Sequence, residues 1–106
     1  MSRHEDDRMM NVYASFENDG GPFPRVCPAC GRRHAHLLMH RFDPSDTRGT
    51  VWVWCDSCGS YAHFDAVVQV WWSNPEFVNE DRLDSLVDYP DDISAKIDEW
   101  VNTLLE

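Results

Sequence analysis

The most regular alternation of apolar and polar positions lies at the C-terminus. Ile93, Ile97, Trp100, Val101, Leu104 and Leu105 recur at i, i+4, i+7, i+8, i+11 and i+12, the stripe of an amphipathic helix. Asp88, Pro90, Asp91 and Asp92 mark its start, where acids favour the positive end of the helix dipole. Upstream the period changes to that of strands. Thr50 to Trp54 reads T-V-W-V-W, entirely β-branched or aromatic, and His34 to Phe42 predicts a strand before it, with Asp43 to Gly49 as the turn. Ser60 to Asp65, continued through Ala66 to Trp72, predicts a third strand, which Asn74-Pro75 ends. A short helix is predicted near Asn79 to Leu86, with Phe77, Val78, Leu83 and Leu86 as its apolar set. Residues 1–10 read as a mobile leader, and Asn18 to Pro24 as a loop by its Gly and Pro content. Between them Val12, Ala14 and Phe16 alternate with Tyr13 and Ser15, which fits either a short strand or a helical turn.

These elements predict an α+β domain: a three-stranded antiparallel sheet with the C-terminal helix packed on it. A chain of 106 residues has room for one domain. Within it, 1–24 form the leader and loop, 25–72 the sheet, and 73–106 an acidic helical segment folded back onto the sheet. Apolar residues make up 42% and charged residues 26%, an ordinary globular composition that excludes wholesale disorder and coiled coil. No apolar run approaches the roughly 20 residues that span a bilayer, and MSRHEDDRMM lacks the apolar core of a signal peptide. A cytoplasmic protein is the expectation.

Charge sharpens the picture because it is unevenly distributed. The net of −10 divides into −3 over residues 1–24, +2 over 25–64 and −9 over 65–106. Affinity for nucleic acid comes from clustered Lys and Arg, so an acidic C-terminal region points instead to a basic protein partner, or simply to a solvated surface. Eight of the nine basic residues are Arg, and Asp outnumbers Glu 13 to 6, a bias that fits a GC-rich bacterial genome.

The chemistry concentrates in four cysteines, Cys27-Pro28-Ala29-Cys30-Gly31 and Cys55-Asp56-Ser57-Cys58-Gly59. A two-residue gap lets both thiolates of a tight turn point at one ion, and the Gly after each pair permits the positive φ that closes it. Backbone N–H groups in such a turn can hydrogen-bond the sulfurs. Soft thiolates suit Zn²⁺, which takes four of them tetrahedrally, so one structural zinc ion is expected on Cys27, Cys30, Cys55 and Cys58. Two disulfides are the alternative in an oxidising compartment, which the absence of an export signal disfavours. A thioredoxin-type C-x-x-C would need a βαβ context, which is missing.

The paired C-x-x-C-G knuckles resemble the zinc-ribbon superfamily over about residues 25–66. That resemblance implies a binding scaffold used in transcription, at the ribosome and in small bacterial proteins, without fixing the job. The first knuckle, C-P-x-C-G, also resembles half of a rubredoxin, where four Cys hold iron for electron transfer; the second knuckle lacks the matching proline. Four protein ligands leave no open position for a catalytic water, and no Gly-rich phosphate loop or converging acid–base pair is visible, so no enzymatic activity is expected.

His34, His36 and His40 read as solvated or stacked residues on one face of the first strand, and His63 as a candidate hydrogen-bond partner of a sulfur. Trp71 and Trp72 are adjacent, so in a strand one must face away from the core. Together with Phe77, Glu80, Asp81, Asp84 and Asp88 they form the candidate partner-binding surface, aromatic anchors rimmed by acids. The leading expectation is a non-enzymatic bacterial zinc-ribbon protein that binds a basic protein. In format it resembles the acidic immunity proteins that present carboxylates to a toxin's basic active site. The alternative is a nucleic-acid-binding ribbon using Arg25, Arg32, Arg33, Trp52 and Trp54, although both tryptophans are favoured as core.

Overall fold

The computed structural model describes residues 4–20, 22–43, 45–68, 71–74 and 91–105. The chain is α+β. Strand β1 (His4–Glu5) leads through a 3-10 turn (Asp7–Met9) into helix α1 (Met10–Asp19); β2 (Ala35–Arg41), β3 (Arg48–Cys55) and β4 (Ser60–Val67) follow, and α2 (Asp91–Leu105) closes the order. The sheet runs β1-β4-β3-β2. β2–β3 and β3–β4 are antiparallel, with Leu38 opposite Trp52 and Trp52 opposite His63. β1 pairs parallel with β4, His4 opposite Ser60. The expected three-stranded antiparallel sheet is therefore a four-stranded mixed one. The third expected strand ends at Val67 rather than running to Trp72.

From His4 on, the expected leader is part of the fold rather than a mobile extension. Met9, Val12, Tyr13 and Phe16 are buried and fall at i, i+3, i+4 and i+7, one face of a helix. Gly20 ends α1 at φ 61°, its N–H bonded to Phe16 O at 2.7 Å. The helix continues through Asn18 and Asp19, into the stretch expected as loop.

Two helices explain why the central strands are apolar on both faces. Residues directly opposite share a face, so Leu37, Met39, Val51, Val53, Cys55, Ala62 and Phe64 form one side, and His36, Leu38, Trp52, Trp54 and Tyr61 the other. α1 covers the first: Tyr13 meets Phe64 edge-on at 5.4 Å, and its hydroxyl donates to Val67 O at 2.9 Å. α2 covers the second: Ile97 and Val101 are fully buried, and Trp54 Nε1 donates to Ser94 Oγ at 3.1 Å. A strand buried on both sides has no reason to alternate, hence V-W-V-W. Trp100, Leu104 and Leu105 complete the expected stripe as half-buried residues, and Ile93 lies outside the side chains described.

Two side-chain amides finish the β2 side of the sheet. Arg25 bridges Ala35 backbone to backbone at the start of β2. At its end Asn74 Oδ1 accepts from Arg41 N at 3.0 Å while its Nδ2 donates to Arg41 O at 3.3 Å. Asn102 of α2 does the same for Phe23, accepting from N and donating to O, both at 2.9 Å. The helix predicted near 79–86 lies outside the described residues.

Candidate metal centre

Each cysteine pair sits in a turn of the same construction. In the first, Gly31 N–H reaches Cys27 O at 2.8 Å and Ala29 N–H points at Cys27 Sγ from 3.4 Å. In the second, Gly59 N–H reaches Cys55 O at 3.1 Å and Ser57 N–H points at Cys55 Sγ from 3.4 Å. Gly31 and Gly59 stand at φ 78° and 81°, the left-handed region in which a Cβ is unfavourable. The first knuckle is fixed to β2 through Arg25 and Ala35, and the second is the direct continuation of β3. Because Ala35 lies opposite Cys55, the ladder itself brings the two knuckles together. Arg32 then ties them side to side, Nη1 to Ser57 Oγ at 3.2 Å.

The result is a cluster of four sulfurs all within 4.8 Å of one another. Cys27 Sγ is 3.7 Å from Cys58 Sγ, and Cys30 Sγ is 3.7 Å from Cys55 Sγ. A tetrahedron with metal–sulfur bonds of about 2.3 Å has edges of about 3.8 Å, so the donor set fits one four-coordinate ion. The same spacing is far beyond the roughly 2.05 Å of a disulfide. Cys27 and Cys55 are buried, Cys58 is half-buried and Cys30 is exposed. Burial pushes the Cys27 and Cys55 thiols up, against the pull of the knuckle N–H groups. Burial also acts to raise Cys58, but hydrogen bonds from Ser60, Cys55 and Cys27 bring it down to about 6. A bound cation deprotonates thiols that coordinate it.

The surroundings of the sulfurs include residues that belong to no metal-binding motif. Met9 Sδ, from the supposed leader, lies 3.7 Å from Cys27 Sγ and is fully buried. Ser60 Oγ stands 3.2 Å from Cys58 Sγ and 2.8 Å from His4 Nε2, which makes the β1–β4 pair the support of that ligand. His63, expected near a sulfur, instead stacks on Trp52 at 3.8 Å and 4°. The signal for Met9 was its helical spacing with Val12, Tyr13 and Phe16; none existed for His4.

One histidine also departs from expectation, while His34 is exposed as expected. His36 is 4% exposed, neither solvated nor free. Its Nδ1 meets both oxygens of Asp98 at 2.8 and 2.9 Å, and its Nε2 meets Asp56 Oδ2 at 3.0 Å. The other Asp56 oxygen is 2.9 Å from His34 Nδ1. Burial works against charge on His36, but the hydrogen bonds and fields of Asp98 and Asp56 prevail and raise its pKa above the ordinary value. Burial lifts Asp98 as well, opposed by His36. Asp98 lies 62 residues from His36, too far for any local pattern to pair them.

Of the residues considered for nucleic-acid contact, Trp52 and Trp54 are 5% and 2% exposed. Trp52 is capped by His63 and Trp54 lies beneath α2, so neither ring offers a stacking face. Among the described residues, Trp52 Nε1 is the buried side-chain polar atom left without a hydrogen-bond partner. Arg25 reaches Ser15 Oγ at 3.1 Å and lies 5.9 Å over the Phe23 ring, Arg32 is committed to Ser57, and Arg33 is exposed. Of the partner-binding candidates, Trp71 is 36% exposed and touches Phe16 edge-on at 5.9 Å, whereas Trp72 is 4% exposed and belongs to the core. Trp72 is held there by Nε1 donating to Asn74 Oδ1 at 3.1 Å. Phe77, Glu80, Asp81, Asp84 and Asp88 lie outside the described residues.

No helix among the described residues is long and apolar enough to cross a membrane. Compared with known proteins, the chain matches no family model, no curated protein and no solved structure.

Proposed function

We infer that this chain is a non-enzymatic zinc-ribbon protein in which one structural Zn²⁺ staples the sheet and the acidic surface binds a basic protein. The observation that carries the reading is the sulfur cluster, four cysteine Sγ atoms within 4.8 Å of one another. Such a set completes a tetrahedral ion, leaves no position for substrate or water, and converts metal-binding free energy into folding free energy. The chain's net charge of −10 supports the choice of partner, and the burial of Trp52 and Trp54 counts against base stacking. Exposed Trp71 supplies the aromatic anchor that protein interfaces favour. An immunity-type inhibitor that offers carboxylates to a basic toxin is the most concrete form of this reading.

Two measurements test it together. Purified protein should be colourless and carry one zinc per chain; stoichiometric iron with visible colour would replace the reading by rubredoxin-like electron transfer. Pull-down from the native host should yield one stoichiometric basic protein that survives nuclease treatment and dissociates with rising salt. Partners that vanish with nuclease would move the assignment to a nucleic-acid ribbon.

A further inference from the structure

His36 is buried in the sheet with both ring nitrogens taken, and a structural metal on four cysteines gives it no role. Its partners come from opposite parts of the chain. Asp98 belongs to α2, while Asp56 directly follows the ligand Cys55, and the Asp56 N–H bonds His34 O at 3.3 Å. A ring protonated on both nitrogens, the form of histidine that donates from both, satisfies the carboxylate oxygens 2.8 and 3.0 Å from Nδ1 and Nε2. A buried ionic triad of this kind adds little net stability over an apolar replacement, yet removing one member strands the others and is costly. Its effect is to specify position: it fixes where α2 sits relative to the second knuckle.

We propose that Asp56, His36 and Asp98 form a latch that ties the docking of α2 to occupancy of the four-cysteine centre. Closure of the knuckle on a metal fixes Cys55 and Gly59, and with them the direction of the Asp56 carboxylate between them. A fixed Asp56 holds His36 in the orientation that presents Nδ1–H to Asp98. By linkage, whatever the metal adds to α2 docking, docked α2 adds to metal affinity. His36 is a positioning residue, acting on the centre through Asp56. Metal loading thereby governs the element that belongs to the most acidic part of the chain. This inference rests on the four cysteines holding a metal and is independent of which partner is bound.

The test uses the full chain loaded with Co²⁺, whose thiolate charge-transfer and d–d bands report ligation directly, with affinity read by chelator competition. Asp98→Asn keeps shape and removes charge, and His36→Gln removes the imidazole. Val12→Ala, on the opposite side of the sheet, controls for general destabilisation. Each latch variant should bind Co²⁺ about 10-fold more weakly, with an unchanged four-thiolate spectrum, and the double variant should be no weaker than the worse single one. Amide exchange in the zinc-loaded Asp98→Asn protein should accelerate in α2 and not in α1, and in Val12→Ala it should accelerate in α1 and not in α2. Wild-type affinity in both latch variants, additive losses, or α2 exchange accelerated as much by Val12→Ala as by Asp98→Asn would overturn the latch. If His36→Gln does not fold, Asp98→Asn decides on affinity and exchange alone. A wild-type chain that shows no Co²⁺–thiolate bands would overturn the metal reading itself, and the latch with it.

Discussion

Cys30 is the exposed member of the four cysteines, so replacing it disturbs no packing and isolates the contribution of the metal. A serine hydroxyl does not ionise near neutrality and is a poor ligand for a soft site. Cys30→Ser should therefore lose its cooperative thermal transition, followed by circular dichroism at neutral pH. A retained native transition would sink the structural-metal argument. At His36 the relevant observable is pH. Its folded pKa is raised, so from about 6.5, where the unfolded side chain loses its proton, the folded state still holds one. Stability from this group is complete below that pH and falls as pH rises through the folded pKa, with a limiting slope of about 1.4 kcal/mol per pH unit. The groups facing it are Asp56 on the knuckle, with His34 on the far oxygen of that carboxylate, and Asp98 on α2. Urea unfolding between pH 6 and 8 should show wild type losing its advantage over His36→Gln as pH rises, and a constant difference would refute the assignment.

At the scale of elements, what a reader of the sequence can recover depends on whether the deciding contacts are local. The knuckles, β2, β3 and α2 carry their own signals: fixed Cys spacing, a β-branched and aromatic run, and a helical stripe. β1 carries none, because two residues have no periodicity and its parallel pairing with β4 is decided by tertiary position. α1 was legible in principle. Met9, Val12, Tyr13 and Phe16 keep helical spacing, but the competing alternation of Val12, Ala14 and Phe16 obscures it until Met9 is counted as core. His4 beside Ser60 and Asp98 beside His36 are invisible for the same reason as β1: tertiary position alone brings them there. The β2–β3 hairpin offers a check on the packing. A Cβ on Gly49 would lie 2.7 Å from Val68 Cγ2 and 2.9 Å from Arg41 Cα, with His40 O closer still. Gly49→Ala should cost about 1–3 kcal/mol in denaturant unfolding, as overpacking does. A neutral outcome would show that this hairpin yields more easily than its contacts imply.

For the whole molecule, the sheet has a helix on each face and the four-cysteine site at one end. That site is in contact with α1's flank through Met9 and with α2 through Asp56, His36 and Asp98, so a metal bound there would tie all three layers together. Stripping the metal with a strong chelator at neutral pH should abolish the near-UV signal of the buried tryptophans, and added Zn²⁺ should restore it. A tryptophan spectrum indifferent to chelation would mean that the layers hold without the ion. The two asparagine amides bear on behaviour at high concentration. A carboxamide offers one donor and one acceptor in the geometry of a peptide group, but its side chain cannot be prolonged into a ladder. With Asn74 seated on Arg41, the strand end presents no vacant hydrogen-bonding pair from which another molecule could extend the sheet. Asn74→Ala should leave the monomer folded and raise its tendency to self-associate, seen as a concentration-dependent increase in sedimentation coefficient. At this end of β2 a side chain thus stands where the next strand would begin, imitating its first peptide group and going no further.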